Sequence, residues 1–172
     1  DSITEMCETS RYYPEFKIIN RGISGDTTNG MLQRLDSNLL NIKPSTVLFL
    51  GGINDIEKHI SKNEIVENID KIDTEIKGVN PDCRIIVQSI YPVNENIRPR
   101  YLNKVHNRNN QAVREVNVEL EKICQNRGCV YVDVYSLLAD EEGNLNKLYT
   151  RDGLHLIKKG YFAVAEIIKP YL

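Results

Sequence analysis

The sequence has no excess of charge of either sign and no long hydrophobic run. Its 172 residues include 22 lysines and arginines against 24 aspartates and glutamates, which gives a formal net charge of -2. Such a balance gives no electrostatic reason to expect nucleic acid or an anionic membrane as a partner. The longest apolar runs, such as residues 46–50, are far too short to cross a bilayer. We therefore expect a globular chain with no nucleic-acid partner and no membrane span.

Cysteine and histidine are both scarce. Cys7, Cys83, Cys124 and Cys129 show neither the Cys-x-x-Cys spacing of a metal site nor the density of a disulfide framework. We expect buried free thiols, although Cys124 and Cys129 could face each other across a turn between a helix and a strand. The three histidines are not grouped as metal ligands would be. These patterns predict neither a metal nor a cofactor. They do not indicate the cellular compartment of the protein.

The distribution of apolar residues predicts a single α/β domain over residues 1–172. The chain has an ordinary length for one domain and contains no repeat or linker. Short, nearly all-apolar runs alternate with longer helical patterns, which is typical of parallel strands covered by helices on both faces. We expect a three-layer α/β/α sandwich with a flavodoxin-like parallel sheet. The predicted strands are 16–20, 46–51, 84–90 and 129–134, and the predicted helices are 27–41, 64–77, 103–126 and 158–172.

Widely separated motifs supply the groups that serine hydrolysis requires. Ser2 is a candidate nucleophile, which stays nearly inert until a base removes its proton. His155 can accept that proton near neutral pH. Asp152, three residues earlier, could hold the other ring nitrogen and set its tautomer. Because ligands of parallel sheets sit at the carboxyl ends of the strands, we expect these motifs to converge on one edge.

Taken together, the motifs resemble the GDSL or SGNH hydrolase superfamily of esterases and lipases, and more closely its compact bacterial, acetylhydrolase-like acylhydrolases. The family's Gly-Asp-Ser block appears as Asp1-Ser2 without its glycine. Its later blocks appear as Gly25 within residues 20–27, as Gly52-Ile53-Asn54-Asp55, and as Asp152-Gly153-Leu154-His155. The resemblance covers nearly the whole chain. It implies the SGNH fold with Ser2, Asp152 and His155 as catalytic residues.

The resemblance also implies a substrate class: small or short-chain carboxylic esters, hydrolysed through an acyl-enzyme intermediate without a metal. Acetyl esters of sugars and short-acyl lipids are the candidate substrates. Gly25 lets the main chain approach a substrate closely, and the amide of Asn54 can donate without adding charge. We expect both, with the backbone N–H of Ser2, to form the oxyanion hole.

Two further expectations concern the segments around these motifs. A parallel sheet needs a strand directly before the turn that holds Ser2, so we expect one upstream of Asp1. An N-terminal-nucleophile hydrolase is the competing explanation, but its nucleophile would have to be the first residue. A predicted loop over residues 91–101 offers Tyr91, Arg98 and Tyr101 as a substrate pocket, although exposed Arg and Tyr are also common in loops.

Other functions stay open at this point. A noncatalytic flavodoxin-like binding module of the receiver type would need a lysine after a late strand, and residues 132–136 supply none. A metallophosphoesterase could use Asp1, Asp55, Asp152 and His155, although the usual histidine clusters of such enzymes are missing. Asp55 is otherwise expected to brace its loop. The sequence does not indicate an oligomeric state.

Overall fold

A parallel sheet of three strands forms the centre of the computed structural model, which describes residues 1–97 and 102–172. The strands are β1 (Thr46–Phe49), β2 (Arg84–Gln88) and β3 (Val130–Val132), and they lie side by side in chain order. Val47 pairs with Ile85 in the register of β1 and β2. Three of the four predicted strands are therefore confirmed, each somewhat shorter than expected.

Helices connect and cover the strands. In chain order they are α1 (Ser2–Glu5), α2 (Thr9–Tyr12), α3 (Thr28–Gln33), α4 (Leu35–Asn38), α5 (Ile53–Glu57), α6 (Lys62–Val79), α7 (Leu102–Val105), α8 (Asn110–Arg127), α9 (Val134–Leu138) and α10 (Lys158–Ile168). Short 3₁₀ helices lie at Leu40–Ile42 and Lys169–Tyr171. None of the described helices has the length and apolar character that crossing a bilayer requires.

Apolar side chains pack on both faces of the sheet. Val47, Ile85 and Val87 belong to a core shared with α3, α6 and α8. The alternate residues Leu48 and Ile86 belong to a second core, shared with α2, α9 and α10. Because successive strand residues point to opposite faces, the sheet is a middle layer between two layers of helices. The three-layer α/β/α architecture predicted from the sequence is confirmed.

The prediction of a strand at residues 16–20 is wrong. This segment bends at Phe16 and forms no β-ladder over residues 17–20. A strand needs a neighbour for its backbone N–H and C=O groups, and the strand register of the described residues gives this segment none. The segment instead lines a cavity of about 530 Å³ that residues 44–50 also line.

Two of the predicted long helices are interrupted. The helix predicted over residues 27–41 is divided into α3, α4 and a 3₁₀ turn. The helix predicted over 103–126 is divided into α7 and α8, with Asn107 in a left-handed conformation between them (φ 56°). Asn109 then caps α8, because its side chain accepts a hydrogen bond from the N–H of Ala112 at 2.8 Å. The chain is therefore not helical between α7 and α8.

Candidate active site

Ser2 lies at the first position of α1, and the residue before it fixes the start of that helix. Asp1 is the N-cap, since its Oδ1 accepts from the backbone N–H of Thr4 at 3.0 Å and from the Thr4 hydroxyl at 3.2 Å. The Tyr161 hydroxyl in α10 donates to the carbonyl of Ile3 at 2.8 Å. These contacts hold the half-buried Ser2 side chain at a defined place.

Ser2, His155 and Asp152 form a hydrogen-bonded chain. The Oγ of Ser2 lies 3.0 Å from Nε2 of His155, and Nδ1 of His155 lies 2.7 Å from Oδ2 of Asp152. The two contacts use different ring nitrogens, so a neutral imidazole can donate to the carboxylate and accept from the hydroxyl. The structure thus brings together three predicted site residues from opposite ends of the chain.

The carboxylate of Asp152 is held in its ionised form. Burial raises the pKa of this group, but hydrogen bonds from the His155 ring and from the backbone N–H groups of His155 and Leu154 outweigh it and hold the pKa well below its usual value. Its Oδ1 accepts the backbone N–H of His155 at 2.8 Å and that of Leu154 at 3.0 Å. Asp152 therefore fixes both the ring and the backbone of the loop that carries His155.

Gly153 allows this loop to pack closely against Asn94. Its φ of +82° is in the left-handed region, and a Cβ at this position would collide with the carbonyl of Asn94. The backbone N–H of Asn94 donates to the carbonyl of Gly153 at 2.8 Å. Gly153 therefore belongs to the geometry of the site, although the sequence motif gave it no separate role.

Gly25 lies in an exposed turn that is tied to the start of the chain. It has a φ of +75°, and no described atom comes within 4 Å of the place where its Cβ would be. The Ser24 hydroxyl donates to the carboxylate of Glu5 in α1. A Cβ on Gly22 would collide with the backbone N of Glu5, so the segment approaches α1 closely. The open side of Gly25 leaves its main chain accessible.

Asn54 lies in α5 beyond the carboxyl end of β1 and is almost completely buried, at 3% exposure. Its Nδ2 donates to the carbonyl of Asp26 at 2.9 Å, which links it to the turn that carries Gly25. The next residue, Asp55, accepts from the backbone N–H of Thr28 at 3.0 Å and from the Thr28 hydroxyl at 2.5 Å. Asp55 thereby braces α3 against α5, as expected.

Arg108 is a neighbour of Asn54 that sequence reasoning missed. Its Nη2 donates to Oδ1 of Asn54 at 2.9 Å and to Oε2 of Glu57 at 2.6 Å. Burial lowers the pKa of the Arg108 guanidinium, while Glu57 raises it. Arg108 belongs to no recognised motif and is 54 residues from Asn54, so no local signal pointed to it.

The three predicted pocket residues have different outcomes. Tyr91 lies in the core at 4% exposure, and its hydroxyl donates to Oε1 of Gln88 at 2.5 Å. It also lines the cavity beside β1. Arg98 and Tyr101 lie outside the described residues. A substrate contact by Tyr91 stays a prediction.

The described residues offer little for a metal ion. Across residues 1–97 and 102–172, no group of three or more His, Cys, Asp and Glu side chains is arranged to hold one. Two carboxylates of the metal alternative accept hydrogen bonds from the protein: Asp1 through Oδ1 from Thr4, and Asp55 from Thr28.

Comparisons with known proteins report on the family and the fold of this chain. The model of the GDSL-like lipase/acylhydrolase family matches residues 1–163. The human platelet-activating factor acetylhydrolase IB subunit alpha2 is 31% identical over 175 residues, which cover 99% of this chain and 71% of the human protein. A solved structure from Streptococcus pneumoniae, described as a platelet activating factor, is 35% identical with a TM-score of 0.92, and the match covers 99% of this chain and 80% of that one.

Some relatives are much longer than this chain. The chain spans 44% of an Arabidopsis thaliana GDSL esterase/lipase, to which it is 27% identical over 138 residues. It spans 36% of the Escherichia coli N-acylneuraminate cytidylyltransferase, at 27% identity over 161 residues. These matches cover 74% and 90% of this chain.

Proposed function

Because the chain belongs to the GDSL-like lipase/acylhydrolase family, we propose that it is a serine esterase that cleaves small or short-chain carboxylic esters through an acyl-enzyme intermediate. The observation that carries this proposal is the hydrogen-bonded chain from Ser2 through His155 to Asp152, with contacts of 3.0 Å and 2.7 Å. A nucleophile and a base within hydrogen-bond reach, with the base oriented by a third group, is the arrangement that activates a serine hydroxyl.

In the proposed mechanism, Ser2 Oγ attacks the ester carbonyl while Nε2 of His155 takes its proton. His155 then returns this proton to the departing alkoxide, which leaves the acyl group on Ser2. In the second half, water attacks the acyl-enzyme while His155 takes a proton from it. The bond between the acyl group and Ser2 Oγ then breaks, His155 returns the proton to Oγ, and the carboxylic acid leaves. Asp152 stays ionised throughout and stabilises the imidazolium, in line with its lowered pKa.

The negative charge that develops on the substrate oxygen needs nearby donors. We assign this role to the backbone N–H of Ser2, the main chain at Gly25 and the amide of Asn54. The first N–H groups of a helix have no acceptor within the helix, so that of Ser2 at the start of α1 is available. One N–H of the Asn54 amide bonds to Asp26, and the other is left for the oxyanion. Each such donor contributes about 3 kcal/mol to transition-state stabilisation.

The substrate proposal is an acetyl or other short acyl ester, on a sugar or a lipid. The name of the human relative specifies a platelet-activating factor acetylhydrolase, and its acetyl specificity supports the short acyl group.

The test is a panel of esters from acetyl to long-chain acyl, assayed with wild type, Ser2→Ala and His155→Ala. We expect the highest kcat/KM for acetyl to butyryl esters. Each variant should lose nearly all activity while keeping its fold, and the double variant should lose no more than either alone, because the two residues act as one unit. Near wild-type hydrolysis by either single variant would remove that residue from the mechanism.

A further inference from the structure

The guanidinium of Arg108 contacts three groups of the protein around Asn54. Nη2 donates to Asn54 Oδ1 at 2.9 Å and to Glu57 Oε2 at 2.6 Å, and Nη1 donates to the carbonyl of Lys104 at 2.8 Å. The side chain of Arg108 is only 7% exposed. The buried side chain of Arg108 therefore joins the segment that precedes α8 to helix α5.

This contact and the carbonyl of Asp26 together fix which way the amide of Asn54 faces. A guanidinium has only donors, so the Asn54 atom beside it must be the acceptor Oδ1 rather than the donor Nδ2. The two ends of an asparagine amide are nearly the same size, so sterics alone would not distinguish them. With Oδ1 held by Arg108, Nδ2 points to the other side, where it donates to Asp26 at 2.9 Å.

Glu57 makes this arrangement rigid. A buried guanidinium is costly unless it is paired and hydrogen-bonded, and Glu57 provides the opposite charge. Glu57 lies three residues after Asn54 on α5, one helical turn along. Arg108 therefore contacts two side chains of one helix together, and a rotation of the Asn54 amide would break one of these contacts.

We propose that Arg108 is a positioning residue that holds the Asn54 amide so that the N–H not bonded to Asp26 is directed toward the developing oxyanion. This inference rests on the proposed function, in which Asn54 is an oxyanion donor. Arg108 acts through Asn54 and does not touch the substrate. Arg108 should therefore stabilise the transition state, where the negative charge develops, more than it strengthens substrate binding.

The first test is Arg108→Met, which keeps much of the length of the side chain and removes every donor. We expect kcat to fall roughly tenfold or more, and by no more than the roughly hundredfold loss expected for Asn54→Ala. KM should stay within about twofold, because ground-state binding is not changed. The control is Arg127→Met, which removes an arginine paired with Asp70 at the surface and should leave kcat unchanged.

A double-mutant cycle separates positioning from a general structural role. In the Asn54→Ala background, Arg108→Met should cause no further loss of kcat, since the amide that it positions is gone. An equal fold-loss in both backgrounds would overturn the inference. If Arg108→Met does not fold, Arg108→Lys carries the same cycle, because a lysine lacks the planar fork that reaches Asn54 and Glu57 together.

The outcomes also separate this inference from the proposed function. Wild-type protein that does not hydrolyse esters, or hydrolysis that does not depend on Ser2, would contradict the proposed function itself. Hydrolysis that depends on Ser2 and Asn54, together with wild-type kcat in folded Arg108→Met, would overturn the role of Arg108 alone.

Discussion

At the scale of single residues, Gly153 determines where His155 can lie. We expect Gly153→Ala to lower the free energy of unfolding by about 2 kcal/mol or more, because it adds a collision with the carbonyl of Asn94 to an unfavourable positive φ. It should also reduce ester hydrolysis, since the loop must move. Chemical unfolding and kcat are the measurements.

Gly128→Ala is the matched control for that change. Gly128 also has a positive φ, of +74°, but it caps the end of α8 and no described atom lies within 4 Å of its added Cβ. It should cost about 1 kcal/mol of stability and leave kcat unchanged. Equal effects of the two variants on hydrolysis would contradict the role given to Gly153.

The carboxylate of Asp152 predicts how stability depends on pH. Its folded pKa is lowered, whereas an unfolded aspartate titrates at about 3.9. The stability that the ionised carboxylate contributes is therefore fully present above about pH 4 and is lost as the pH falls through the lowered folded pKa.

The comparison is with Asp152→Asn. The difference in unfolding free energy between wild type and this variant should be constant from about pH 5 to 7 and should shrink below about pH 4. Urea unfolding at each pH measures it. A difference that keeps the same size down to about pH 2.5 would show that the carboxylate is not held ionised.

Much of the site could be predicted from the sequence because its residues lie in short motifs. The motifs predicted Ser2, Gly25, Asn54, Asp152 and His155, and the structure joins the first and the last two of these by hydrogen bonds. The oxyanion roles of Gly25 and Asn54 stay predictions. Arg108 could not be found in this way. Its contact with Asn54 depends on the break between α7 and α8, a tertiary feature that helix periodicity does not report.

At the scale of elements, the short helix α1 carries Ser2 and depends on the Asp1 cap. Asp1→Ala should lower the free energy of unfolding by about 1 kcal/mol, the usual cost of a lost N-cap. It should also reduce kcat, because Ser2 loses the support of α1. Ser61→Ala is the control: Ser61 caps α6 by accepting from the N–H of Glu64 at 3.2 Å, so stability should fall similarly while kcat stays unchanged.

The strands and long helices show where local patterns suffice. β1, β2 and β3 are short runs of mostly apolar residues covered by helices on both faces, and this composition predicted each of them. Residues 16–20 have the same local pattern but lack a paired neighbour among the described residues. The segment over 27–41 has a continuous apolar face but breaks at Arg34 and Leu39, where the backbone leaves helical geometry. Whether such a segment forms a strand or a continuous helix depends on strand pairing and tertiary packing, which the local pattern does not contain.

At the scale of the whole molecule, the two motif-bearing ends of the chain meet because α1 and α10 pack in the same core. No step of the proposed mechanism uses a metal ion. Dialysis against a chelator should therefore leave ester hydrolysis and the thermal midpoint unchanged. Loss of activity that returns on adding a divalent metal would favour the metallophosphoesterase alternative.

The measurement that tests the central claim most directly is covalent labelling with a fluorophosphonate, mapped by mass spectrometry. This reagent phosphonylates a serine only when a base activates it. We expect one label on Ser2 in wild-type protein, stoichiometric with the loss of ester hydrolysis, and almost no label in folded Ser2→Ala or His155→Ala. A label on another residue that accounts for the lost activity, or undiminished labelling of Ser2 in His155→Ala, would contradict a nucleophile activated by His155.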